Sequence, residues 1–129
     1  MKTDIKSRED LTLLVHTFYD RIRKDEELGP IFNAIIEDWD AHLIKITDFW
    51  EQHLFGVFKY DGDPIQAHLG VDKTMNYKIE ARDFGTWLNY WINTLDELFE
   101  GKNVDILKFK ARKMQTIFFM SMVQERPKD

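Results

Sequence analysis

Four histidines, His16, His42, His53 and His68, are the side chains of this 129-residue chain whose chemistry is easiest to weigh one at a time. The chain has no cysteine, so thiolate metal sites and thiol nucleophiles do not arise. A di-iron bundle would need Glu-x-x-His on two helices. The residues three before the histidines are instead Leu13, Trp39, Trp50 and Ile65, which excludes that class. His42 and His53 fall on one apolar face but stand 11 residues apart, about 16 Å along a helix, too far to share one ion. No GxSxG, GxGxxG, phosphate-binding loop or HExxH occurs either, which removes the common hydrolase, dinucleotide and zinc-protease signatures.

What remains is a polar set embedded among aromatics: Tyr19, His42, His68 and Trp87. Haem needs little more from a protein than this. The porphyrin supplies four nitrogens to its iron, so the chain must add one neutral imidazole, a flat apolar slot and selected hydrogen-bond donors. His68, near the end of a short helix, is the candidate imidazole. Ordinary packing would account for the same histidine, and spacing alone leaves both readings open.

These side chains must be positioned by helices. The stretch "SRED" reads as a capping box in which Ser7 and Asp10 start the first helix. Leu11, Leu14, Val15, Phe18 and Ile22 follow at spacings of three and four, with Tyr19 at the edge of the stripe. The pattern ends before Gly29-Pro30, and "GPIFNAII" reads as a short turn. From about Asp38 a second long stripe runs through Trp39, His42, Leu43, Ile46, Phe49, Trp50, His53, Leu54 and Val57. Asp63 and Pro64 are an N-cap and a first-turn proline for the short helix that carries His68. Residues 70 to 79 show no sustained period and read as a loop. Phe84, Trp87, Leu88, Trp91, Leu95 and Leu98 mark a third long helix, with Gly101 as its left-handed cap. Asn103 caps the last, whose stripe is Val104, Leu107, Ala111, Met114, Phe118 and Met122. No alternating strand pattern competes, so the expected class is all-α, a single domain spanning residues 1–129.

Composition narrows the partners. Aromatic residues make up 14% of the chain, enough flat side chain to line a cavity for a flat ligand as well as fill a core. The net charge of −5, with basic residues scattered, argues against nucleic acid. The opening "MKTDIKSRED" has neither a signal-peptide apolar run nor a membrane span, and a cytoplasmic protein is expected.

The pieces "FYDRIRKDEELGPIF", "WDAHLIKITDFW", "DPIQAHL", "FGTWLNYW" and "LDELFEGK", in this order and over about residues 11 to 122, resemble the group III truncated haemoglobins, a bacterial branch of the globins. The double-glycine motifs of other truncated globins are absent, since Gly56 precedes Val57, as in that group. The resemblance implies a two-over-two helical sandwich around haem b. It makes His68 the proximal iron ligand, Tyr19, His42 and Trp87 the distal residues, and Phe32 the phenylalanine that wedges against the porphyrin. Phe49 and Trp50, with Phe84 and Trp91, are expected as apolar walls. Oxygen, nitric oxide and carbon monoxide are the implied ligands. Conversion of nitric oxide to nitrate, or peroxide chemistry, is the implied enzymatic use, and a separate reductase must then supply electrons, because this chain carries no flavin or nicotinamide motif. A monomer or weak homo-oligomer is expected. His53 matches no functional position, and His16 should face solvent. The rival reading is a haem-free helical interaction or sensory module, which would have no need of His68 among those aromatics and should expose an extra apolar stripe.

Overall fold

The computed structural model describes residues 1–128, and six helices account for the order in them: α1 (Arg8–Lys24), α2 (Leu28–Ile35), α3 (Trp39–Phe55), α4 (Pro64–Thr74), α5 (Ala81–Leu98) and α6 (Lys102–Glu125). There is no strand among the described residues. The pairs α1/α3 and α5/α6 meet through contacts of α1 with α5 and of α3 with α6, which makes two layers of two helices. Their apolar stripes form one core. Leu11, Leu14, Val15, Phe18 and Ile22 of α1 are all buried, beside Trp91 and Leu95 of α5 and Val104, Leu107 and Ala111 of α6.

The helix starts follow from side-chain caps. Ser7 Oγ accepts the Asp10 N–H at 3.3 Å. The Asp10 carboxylate accepts from Lys6 N–H at 2.8 Å, one residue short of Ser7, so only half of the expected capping box forms. Asp38 and Asp63 accept the N–H groups of Ala41 and Gln66, each at 3.1 Å, at the starts of α3 and α4. Gly56 ends α3 with φ of 72°, which leaves Val57 exposed beyond the helix and outside the stripe predicted for it.

Three boundaries differ from the sequence reading. "GPIFNAII" is not a turn but most of α2. Pro30 is tolerated because it stands in the first turn, where a backbone N–H has no intrahelical acceptor. Asp25 caps this helix, its carboxylate accepting from Leu28 N–H at 2.9 Å and Glu27 N–H at 3.1 Å. Gly29 is needed there, because a Cβ would lie 2.5 Å from the Arg23 carbonyl oxygen. The predicted loop 70 to 79 is helical as far as Thr74, so His68 lies mid-helix and not near its end. Gly101 is not a left-handed cap of α5, which already ends at Phe99. It has φ of 147° and is the N-cap of α6, with Asn103 inside the first turn. Asp4 supplies the cap that Asn103 was expected to give, accepting from Asn103 N–H at 3.0 Å and Val104 N–H at 3.3 Å.

Candidate functional site: an aromatic cavity with a tautomer-fixed imidazole

All six helices border a cavity of about 580 Å³, within the range of roughly 300–1,000 Å³ that holds cofactor-sized ligands. His68, Phe32, Tyr19, His42, Phe49, Trp50 and Trp87, the residues singled out from sequence, all line it. Of the four expected wall aromatics, Phe49, Trp50 and Phe84 are on the wall and Trp91 is not. Trp91 is fully buried and stacks behind the wall on Trp50 at 4.7 Å and on Trp87 at 5.6 Å. Its indole N–H donates to the Leu107 carbonyl at 3.2 Å. It is a spine that holds two wall residues and does not touch the cavity.

His68 comes from α4. Its Nδ1 lies 2.6 Å from the Pro64 carbonyl oxygen, one helical turn back. A carbonyl can only accept, so Nδ1 carries the proton and Nε2 keeps its lone pair. The ring stacks on Phe118 at 4.3 Å and 19° and faces Phe84 at 6.2 Å and 29°. Burial lowers its pKa, against a smaller opposing effect of the Pro64 bond. The result is a neutral imidazole, fixed in tautomer and in ring plane, on an apolar wall.

A second polar group comes from α1, α3 and α5. Tyr19 is 5% exposed, and its ring meets Phe32 at 5.9 Å, Trp39 at 5.8 Å and His42 at 5.9 Å. Burial raises its pKa well above the ordinary phenol value, and hydrogen bonding from the Trp87 side chain opposes this only in part. The phenol therefore stays protonated. The indole N–H of Trp87 can only donate. His42 is half-buried, with its pKa lowered first by burial and then by the charge of Lys45.

The other histidines lie apart. His53 is not on the cavity wall; it packs edge-on against Phe49 at 4.5 Å, its carbonyl accepts from Lys110 Nζ at 2.6 Å, and burial followed by the Lys110 charge lowers its pKa. His16 is exposed, as expected. Among the described residues no group of three His, Cys, Asp or Glu side chains could hold a metal, and no helix is long and apolar enough to cross a membrane.

Several wall residues went unmarked in the sequence. Met114, Phe118 and Met122 belong to the α6 stripe and read there as core; nothing in a periodic pattern separates a residue that fills a core from one that borders a hollow. Lys45 and Tyr60 also reach the cavity. Gln115, the neighbour of that stripe, was not foreseen at all. It lies on the wall with its Oε1 buried and without a protein partner, and buried polar atoms of this kind are rare.

The donor set fits haem. It offers an imidazole fixed in one tautomer with its lone pair on Nε2, flat aromatic walls, neutral donors drawn from other helices, and a buried amide oxygen that the protein alone leaves unsatisfied. No family model matches the chain. Group 3 truncated haemoglobin ctb of Campylobacter jejuni is 30% identical over 122 residues, 92% of either chain. This chain belongs to the group 3 truncated haemoglobins. A crystal structure of a group III truncated haemoglobin from Campylobacter jejuni superposes with a TM-score of 0.84 at 28% identity, covering 99% of this chain and all of the other. The two-layer arrangement is therefore the truncated globin fold. Membership in a haemoglobin family implies haem in this truncated haemoglobin.

Proposed function

We propose that this truncated haemoglobin holds haem b through His68 Nε2 and takes the diatomic gases oxygen, nitric oxide and carbon monoxide at the group formed by Tyr19, His42 and Trp87. The observation that carries the reading is the His68 ring, committed to one tautomer by Pro64 and clasped between Phe84 and Phe118. A histidine serving only as packing has no need of an orphan lone pair on a cavity wall. Haem, when bound, would supply an iron able to take an imidazole and a gas and to pass electrons, with His68 as the residue that would hold it.

The protein does the rest. α4, which carries His68, packs against α6, whereas Tyr19, His42 and Trp87 come from α1, α3 and α5, so the imidazole and the donors stand on different helices. Tyr19 presents a hydroxyl that burial keeps protonated. Trp87, a donor only, aligns that hydroxyl or bonds a small ligand itself. His42, neutral and half-buried beside Lys45, is placed to add a third donor or to swing as an entry gate. Phe32, Phe49 and Trp50 keep water from the interior. Three polar groups around one small ligand favour retention, which suits chemistry on nitric oxide or peroxide better than oxygen delivery, with electrons from a separate reductase.

The test is the visible spectrum of the haem-loaded protein, reduced and exposed to carbon monoxide, beside His68→Gly with and without imidazole. A carbon monoxide haem spectrum in the wild type, impaired in His68→Gly and restored by imidazole, is expected. Undiminished haem binding in His68→Gly refutes the assignment of His68, and no stoichiometric haem in the wild type refutes the whole reading.

A further inference from the structure

A partly buried ion pair lies one helical turn along α4 from His68, formed by residues that the proposed gas chemistry does not use. Asp72 is 2% exposed and stands four residues after His68, one helical turn further along the same face of α4. Arg126 meets it with one edge of its guanidinium, Nε donating to Oδ2 and Nη2 to Oδ1, each at 3.0 Å. Nη2 also donates to the Ile79 carbonyl at 2.5 Å. Between the two gripped points are Asn76 and Tyr77, both left-handed at φ of 59° and 60°, a conformation that L side chains other than Asn and Asp seldom adopt. The Tyr77 N–H closes this turn on the Asp72 carbonyl at 2.8 Å.

Arg126 is the residue at which α6 stops. Two turns earlier on α6, Phe118 stacks on the His68 ring at 4.3 Å. The helix that bears the imidazole is therefore tied to α6 twice, by a ring stack at His68 and by an ionic fork one turn on. A fork of this kind fixes direction as well as distance, and with the carboxylate buried and the guanidinium partly exposed its stabilising effect is offset in part by the desolvation of Asp72. The geometry points to Arg126 as a positioning residue for His68: through Asp72 and Ile79 it sets the height and tilt of α4, and so the reach of the imidazole toward the iron. This inference rests on the reading of His68 as the axial ligand.

The experiment uses the haem-loaded, reduced, ligand-free protein and reads the iron–imidazole stretching vibration by resonance Raman, together with haem loss to an excess of apomyoglobin. Arg126→Ala and Arg126→Lys are compared with Arg21→Ala, which breaks the contacts of Arg21 on α1 with Thr94 and Glu97 of α5. Arg126→Ala is expected to shift or broaden the band and to speed haem loss about tenfold, in line with the roughly 10–100-fold effects of residues that orient a metal's ligands. Arg126→Lys keeps the charge without the fork and should shift the band in the same sense; it also serves if the alanine variant does not fold. Arg21→Ala should leave the band in place. An unmoved band in both Arg126 variants, or an equal shift in Arg21→Ala, overturns the inference. A wild-type band that survives in His68→Gly overturns it by a different route, by removing His68 as the ligand.

Discussion

Replacing Tyr19 with phenylalanine removes one oxygen and almost nothing else. The ring keeps its edge contacts with Phe18 at 4.8 Å and Phe32 at 5.9 Å, so the fold should survive and the change isolates a hydrogen bond. A bond to a neutral acceptor contributes about 0.5–1.5 kcal/mol and one to a charged acceptor about 1.5–3 kcal/mol. Of the two gases, oxygen would offer the Tyr19 hydroxyl a partly anionic acceptor, whereas carbon monoxide would offer a nearly neutral one. At about 0.59 kcal/mol per factor of e, loss of the charged bond speeds oxygen release roughly 10- to 150-fold. Trp87 and His42 stay on the cavity wall as further donors, so the lower half of the range is expected. Carbon monoxide release should change about fivefold or less. Stopped-flow displacement of each gas from the wild type and Tyr19→Phe measures both rates. Equal factors for the two gases, or no change for oxygen, would show that Tyr19 does not donate to the ligand.

The caps and the titrating histidines give two further expectations. Asp25→Ala removes the cap of α2 and the acceptor of the Tyr90 hydroxyl at 2.7 Å; together these should cost about 2 kcal/mol, or about 7 °C in Tm for a chain of this length. A loss under about 2 °C in a thermal melt would mean that α2 is held by packing alone. Burial lowers the pKa of His68, and also of His42 and His53, so over this range the unfolded chain binds more protons than the native one. The stability these neutral rings provide is complete above the unfolded histidine pKa of about 6.5 and is lost as pH falls through their lower folded values. Denaturant midpoints should therefore drop between pH 7.5 and 5.5; a flat profile would contradict neutral burial.

The long helices were legible because each carries an unbroken stripe at three-and-four spacing, as Leu11 to Ile22 of α1 does. α4 was legible only at its start, where Asp63 and Pro64 act locally. Its second half was hidden because the buried residue there is a carboxylate, Asp72, whose partner Arg126 is 54 positions away; a local pattern counts such a residue as polar surface. α2 was hidden by Gly29-Pro30, a turn signature that this helix accommodates in its first turn. At the site, the residue types announced themselves: a lone histidine, a tyrosine and tryptophans in helical register. Which aromatics face the hollow and which stand behind it, as Trp91 does, depends on how the layers meet, and that is a property of the assembled fold. Gln115 carried no signal, because an amide beside an apolar stripe is ordinary on any helix.

The cap that Asp4 provides for α6 bears on the order in which the chain assembles. Its bonds to Asn103 and Val104, the Asn103 amide to the Ile5 carbonyl at 2.7 Å and the Glu100 N–H to the Thr3 carbonyl at 3.0 Å join segments nearly a hundred positions apart. Loop closure over such a span is costly, so this strap is expected to seat late, after the rate-limiting step of folding. Contacts that form after that step slow unfolding while leaving the folding rate almost unchanged. Asp4, remote from the haem cavity, is thus a determinant of how long the native state persists once formed.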